Sequence, residues 1–257
     1  MLGAIAGDVI GSVHEFIATK TMDFELFVNG TRFTDDTVLA VAVADCLLNG
    51  GDYVDAFHEY FAAYPDAGYG ASFYDWANTR TRECYGSFGN GSAMRVPAVA
   101  YAFDSLERVL DEAARSAGVT HDPPEGIKGA QATAAAIFMA RHGETKRAIK
   151  ARVEGMFGYD LNRSVDTLRP TYRFDETCQG TVPQAPIAFL ESTSYEDAVR
   201  KAISLGGDAD TLACITGGIA EGHYGGVPAD IANRTLALLD DRLRSIVTQF
   251  SRRYGTA

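Results

Sequence analysis

Two short acidic segments lie far apart in the chain, Thr34-Asp35-Asp36-Thr37 and Asp208-Ala209-Asp210-Thr211. Each runs directly into a largely apolar stretch, Val38 to Leu48 and Leu212 to Ile219. A Thr or Asp followed by such a stretch reads as the N-terminus of a buried helix. A fold that buries both helices and joins their heads brings four carboxylates together. Their repulsion then requires cations, and ligands that are all oxygen favour hard ions, Mg²⁺, Mn²⁺ or Ca²⁺, over zinc. Capping is the competing reading, because Thr34 suits an N-cap and acids in a first turn suit the helix macrodipole. Capping accounts for either segment alone. It does not call for the same dense pattern twice, nor for Gly206-Gly207, which would let the backbone approach a bound group closely.

The 257 residues are 46% hydrophobic, enough for a sizeable core in one domain, 1–257. The formal charge of −11 opposes a nucleic-acid surface, which needs a basic stripe, and opposes docking on anionic membranes. It does not oppose a small anionic ligand held by backbone donors. Cys46, Cys84, Cys178 and Cys214 form no CxxC and read as reduced core residues of a cytoplasmic protein. The five histidines form no HxH or HExxH, which argues against zinc. No apolar run reaches transmembrane length. Met1 to Ile10 is apolar but lacks a basic flank and contains Asp8, so it reads as a core helix rather than a signal peptide.

Helical period dominates the rest. Positions 53, 54, 57, 60, 61 and 64 make one apolar face, and Leu236, Leu239, Leu243, Ile246, Val247 and Phe250 make another. Ser194 with Asp197 resembles a capping box, and Glu125 to Arg141 reads as a helix entered from Pro123-Pro124. Alternating strands are absent, apart from a short hairpin expected in Met22 to Phe33 around Asn29-Gly30. Nothing marks an oligomer surface, so a monomer is expected. Gly68 to Asn90 and Leu161 to Val182 are less regular, and in an all-α fold such loops are where binding residues belong.

Gly86-Ser87-Phe88-Gly89-Asn90-Gly91-Ser92 is neither a Rossmann fingerprint nor a Walker A loop. It opens onto an expected helix, Ala93 to Tyr101. A glycine-rich helix entry can offer several donors to a diphosphate, and a tight interhelical turn explains the same residues equally well. His121 sits in a turn, where it either bonds locally or points into a pocket. Phe88, Tyr172 and Phe174 are suited either to core packing or to stacking on a base.

Taken together these motifs resemble the ADP-ribosylglycohydrolase family. The likeness spans nearly the whole chain. Its anchors are Gly7-Asp8-Val9-Ile10-Gly11-Ser12 with Glu15, Phe33 to Thr37, Gly89 to Arg95, Thr120-His121 and Gly206 to Thr211. The resemblance implies a compact orthogonal multi-helix bundle whose cleft holds two Mg²⁺ or Mn²⁺ ions. Carried over by position, Thr34, Asp35, Asp36, Asp208, Asp210 and Thr211 would be metal ligands. Ser87, Gly89, Asn90, Gly91 and Ser92 would line the diphosphate and ribose and His121 would contact the ADP-ribose moiety, while Phe88 joins the substrate-binding candidates as a loop aromatic suited to stacking on the base. Glu15, Asp35 and Asp66 would serve catalysis. The implied reaction hydrolyses the C1″ glycosidic bond of an ADP-ribosylated protein or small acceptor and releases ADP-ribose. A binuclear-metal phosphoesterase and an idle ADP-ribose-binding protein remain as alternatives.

Overall fold

The structure, a computed structural model, describes residues 1–255. Sixteen helices are present among them. The first half contains α1 (Leu2–Gly11), α2 (Asp35–Asn49), α3 (Tyr53–Ala63), α4 (Ala71–Asn78), α5 (Gly91–Met94), α6 (Val99–Ala102), α7 (Leu106–Gly118) and α8 (Pro124–Arg141). The second contains α9 (Lys146–Phe157), α10 (Val165–Leu168), α11 (Cys178–Thr181), α12 (Gln184–Leu190), α13 (Tyr195–Ser204), α14 (Ala209–Tyr224), α15 (Ala229–Leu238) and α16 (Asp241–Tyr254). One isolated bridge, Gly89 to Thr177, is the only β pairing among the described residues. The fold is therefore all-α.

α14 is the axis of the core. Every residue from Ala209 to Glu221 is buried, so this helix needs neighbours on all sides. It finds them in α1, α8, α12 and α13. α1 lies closest, because Gly3, Gly7 and Gly11 repeat every fourth residue and present one bare face. A Cβ on Gly7 would stand 2.0 Å from the carbonyl oxygen of Ala213, and one on Gly11 would stand 2.5 Å from Cα of Asp210. The backbones are thus in direct contact, and this contact sets the end of α1 beside the second acidic segment.

Several sequence expectations need correction. Met22 to Phe33 forms no hairpin; the chain turns at Asn29-Gly30 but runs irregularly on both sides. The expected helix over Ala93 to Tyr101 is divided into α5 and α6, with Pro97 between them. The C-terminal apolar stripe spans two helices, because Asp240 caps α16 by accepting the Leu243 N–H at 2.9 Å. Ser194 caps α13, but the Asp197 carboxylate accepts the N–H of Thr193 rather than that of Ser194, so the box is half formed. Of the free cysteines, Cys178 and Cys214 are buried while Cys46 and Cys84 are only partly so. The helix from Pro124 to Arg141 forms nearly as expected, with proline in its first turn.

Candidate active site

The heads of α2 and α14 meet, and a carboxylate from α1 braces the first of them. Asp8 is wholly buried. Its Oδ1 accepts the Thr34 hydroxyl at 2.7 Å, and its Oδ2 accepts the N–H groups of Thr34 (3.0 Å) and Thr37 (3.2 Å) and the Thr37 hydroxyl. One side chain thus satisfies two N–H donors and two hydroxyls at the head of α2, where free N–H groups need partners. Thr34 also caps α2 through the Asp36 N–H. The capping reading therefore holds for the first segment. It fails for the second: Asp208 occupies the N-cap of α14, yet its side chain makes no capping bond.

The carboxylates fall into two groups that share one member. Oxygens of Asp8, Asp36 and Asp210 lie within 4.8 Å of one another, as do those of Glu15, Asp208 and Asp210. Thr211 donates its hydroxyl to Asp36 Oδ2 at 3.3 Å, and its N–H meets Asp210 Oδ1 at 2.9 Å. Asp36 Oδ1 is buried with no hydrogen-bond partner. Burial, followed by the repulsion of neighbouring carboxylates, raises Asp35, Asp36 and Asp210 well above the usual carboxylate range. Glu15 is pushed up to about 7, first by burial and then by the charges of Asp208 and Asp8. An orphaned carboxylate oxygen amid acids that resist ionisation fits a hard divalent cation with oxygen ligands.

These groups floor a cleft of about 630 Å³. Glu15, Asp35, Asp36, Asp208, Asp210 and Thr211 all line it. The glycine loop forms the adjoining wall, and Asn90 joins the two: its amide donates to Asp208 Oδ2 at 2.7 Å and to Thr181 Oγ1 at 3.0 Å. The loop is fixed from within. The N–H groups of Ser87, Gly89 and Asn90 bond to the Thr120 carbonyl, the Ser87 hydroxyl and the Glu176 carbonyl. Because α5 is only four residues long, no long helix dipole backs the loop, and with three of its N–H groups already paired an anion would meet only the remaining donors. His121 is buried against this loop, and burial together with the Arg95 charge holds it well below the usual histidine range. At the mouth, Phe88 is about half exposed, and Phe16 stacks on Phe174 with ring centroids 6.1 Å apart.

Not every expected residue reaches the cleft. Ser92 is fully buried and donates to the Gly126 carbonyl at 2.7 Å, so it fastens the loop to α8 instead of facing a ligand. Asp66 is exposed and does not line the cleft; its neighbour Ala67 instead anchors Asp35, whose N–H meets the Ala67 carbonyl at 2.9 Å. Thr34 is buried behind the cleft, its hydroxyl engaged with Asp8. Tyr172 donates its hydroxyl to the Gly180 carbonyl and packs on Gly207, so it offers no stacking face. Gly206 and Gly207 do permit close approach, but to Thr19, Lys20 and Tyr172 rather than to a bound group. Two contributors went unread in the sequence. Asp8 reads locally as a lone acid interrupting an apolar helix, and Phe16 belongs to no periodic stripe.

Fold and cleft together describe an all-α protein whose acidic pocket sits at the junction of two buried helix heads. The family model described as ADP-ribosylglycohydrolase matches residues 1–256. The chain belongs to the ADP-ribosylglycohydrolase family and is a glycohydrolase. It is 28% identical to "ADP-ribosylhydrolase ARH3" of Homo sapiens over 311 residues, covering 88% of this chain and 84% of that protein. It is 27% identical to "ADP-ribosylarginine hydrolase Tri1" of Pseudomonas putida (strain GB-1) over 269 residues, covering 90% of this chain and 71% of that protein. A solved structure described as an "ADP-ribosylglycohydrolase-related protein complex" superposes with a TM-score of 0.73 at 26% identity, covering 99% of this chain and 97% of that one. No helix among the described residues is long and apolar enough to cross a membrane.

Proposed function

We propose that this cleft hydrolyses the glycosidic bond at C1″ of ADP-ribose attached to a protein or small acceptor, and releases free ADP-ribose. The observation that carries the reading is the pair of acid groups joined through Asp210 and tied to the glycine loop by Asn90. It supports a floor for two Mg²⁺ or Mn²⁺ ions, with a wall beside it for the nucleotide part of the substrate. Asp36, Asp208 and Asp210 would hold the ions, with Asp35 and Thr211 at the periphery; Thr34 would join them only by giving up its bond to Asp8. Held by these residues, the ions would supply Lewis-acid stabilisation.

The chain's own residues do the rest. The loop Ser87 to Gly91 and His121 bind and orient the diphosphate and ribose, so that little orientational freedom remains at C1″. Phe88 at the mouth offers a face to the adenine. Burial and the charges of Asp208 and Asp8 raise Glu15 to about 7 in the metal-free cleft; cations beside it would lower that value and leave a carboxylate placed to accept a proton. It takes the proton of the attacking water, while the Asp35 carboxylate steadies the positive charge that develops at C1″. The test is a panel of ADP-ribosylated arginine, serine and nucleobase substrates with Mg²⁺ or Mn²⁺ and with chelator. Metal-dependent release of intact ADP-ribose is expected. AMP or phosphate as first product would indicate a phosphoesterase. Binding of ADP-ribose with no turnover on any linkage would indicate an idle binder.

A further inference from the structure

Arg95 is the largest wholly buried side chain of the protein. It lines the cleft behind the glycine loop. Among the described residues it pairs with no carboxylate, and its Nε and Nη1 have no hydrogen-bond partner. Its guanidinium lies 4.4 Å from the centre of the Phe57 ring. Its Nη2 donates to the carbonyls of Ser116 (2.8 Å) and Ala117 (3.5 Å) in the last turn of α7, and to the Thr120 hydroxyl at 2.9 Å. Burial lowers its pKa to about 10, so it remains a cation at neutral pH. A buried cation without a carboxylate costs stability, and the helix carbonyls offset only part of that cost.

Arginine chemistry biases the polarity of the next hydrogen bond. A guanidinium only donates, so the contact with Thr120 occupies one of the two lone pairs of Oγ1, and the buried cation beside it favours the imidazole tautomer that turns a lone pair rather than a proton towards it. That oxygen lies 2.7 Å from His121 Nδ1, which is thus placed to receive the hydroxyl proton. An imidazole that accepts at Nδ1 and is neutral carries its proton on Nε2. Nε2 looks onto the glycine loop: a Cβ on Gly89 would lie 3.7 Å from it and one on Gly91 3.6 Å. Position is fixed as well, because the His121 N–H meets the Ala117 carbonyl at 2.8 Å, and Gly126 has no side chain to displace the histidine Cβ.

We propose that Arg95 is a positioning residue: acting through the Thr120 hydroxyl, it fixes His121 as the Nε2–H tautomer and so makes it a dedicated hydrogen-bond donor to an acceptor oxygen in the glycine loop. Burial keeps His121 neutral, and the same cation adds to this, since its charge opposes protonation of the ring. The ligand rests on the reading of the loop as the ADP-ribose subsite; the tautomer does not.

The experiment is ¹⁵N imidazole NMR of the ligand-free protein, paired with calorimetry against ADP-ribose. The wild-type protein is expected to show His121 with a bare Nδ1 and a protonated Nε2. Thr120→Val, close in shape but without the hydroxyl, is expected to mix the tautomers and weaken ADP-ribose about tenfold, the worth of one hydrogen bond. Thr120→Ser should restore both. Arg95→Met should raise the histidine pKa and loosen the tautomer preference; should that variant fail to fold, the Thr120 pair decides. A wild-type His121 protonated at Nδ1, or a tautomer unmoved by Thr120→Val, overturns the relay. A tautomer that mixes while ADP-ribose affinity stays constant upholds the relay and instead removes ADP-ribose from the loop.

Discussion

Replacing Gly7 with alanine tests whether the contact between α1 and α14 assembles the acid cluster. The added Cβ would stand 2.0 Å from the Ala213 carbonyl oxygen, 2.4 Å from its carbon and 2.8 Å from the Cys214 nitrogen. All three are backbone atoms of a helix buried on every side, so nothing nearby can swing away. An ordinary contact begins near 3.4 Å, so the helices must part by about 1.4 Å. Overpacking of this kind costs ~1–3 kcal/mol and sometimes more. Because only backbone atoms face the added Cβ, the upper end of that range applies, about 3 kcal/mol; alanine's helix propensity returns ~1 kcal/mol, leaving a net loss of about 2 kcal/mol. In a chain of this size that lowers Tm by roughly 4–8 °C. The functional loss should be larger than the stability loss suggests. Asp8 sits on one helix and Asp210 on the other, and a displacement of about 1 Å at reacting groups costs on the order of 100-fold. Gly155→Ala is the control. Gly155 is an exposed helix residue with nothing within 4 Å of its would-be Cβ, so alanine there should stabilise by up to ~1 kcal/mol. Thermal unfolding and kcat/KM are read on both variants. If Gly7→Ala unfolds no earlier than Gly155→Ala and keeps wild-type turnover, the helix contact does not build the site.

The sequence carried the class of fold because the helical stripes are local signals. Tyr53, Phe57, Tyr60 and Phe61 declare one face of α3, and all four are buried. It carried the two acidic segments because each lies beside a strong helix start. What it could not carry was partnership. Asp8 in α1 looks like an acid that interrupts an apolar helix until α2 lays four donors on it. Asn90 looks like a loop residue until Asp208, 118 positions away, receives its amide. Ser92 matched a ligand-binding pattern, yet Gly126 lies nearer than the cleft and takes its hydroxyl. The glycines were legible as close approaches but not as approaches to what: Gly206 and Gly207 admit Lys20 and Tyr172. Phe16 and Phe174 come from separate irregular segments and meet only through tertiary structure. Local chemistry is written in the chain; pairing across long separations is written in packing.

Three further outcomes are expected. Calorimetry with Mn²⁺ should show two binding events in the wild-type protein, one in Asp36→Asn and in Asp208→Asn, and none in Asp210→Asn, because only Asp210 belongs to both acid groups; equal losses in all three variants would mean the groups are not separate sites. Glu15→Ala should retain at least one bound ion and the intact fold while kcat falls on the order of 10²–10⁴-fold, the usual loss for a positioned base, and wild-type kcat would remove Glu15 from the chemistry. The last concerns pH. Asp35, Asp36, Asp210 and Glu15 all have pKa values raised in the folded protein, so the metal-free fold binds more protons than the unfolded chain does. Their contribution is fully present below the unfolded carboxylate range near pH 4 and is lost as pH rises through the folded values, which for Glu15 means about 7. Buried histidines such as His121, with lowered pKa values, act in the opposite sense, but they do so with or without metal. The difference between two Tm curves therefore isolates the acids: Tm in chelator should fall increasingly below Tm in saturating Mg²⁺ between pH 5 and pH 8. Parallel curves across that window would mean that the clustered carboxylates neither repel one another in the free protein nor meet a cation in the loaded one.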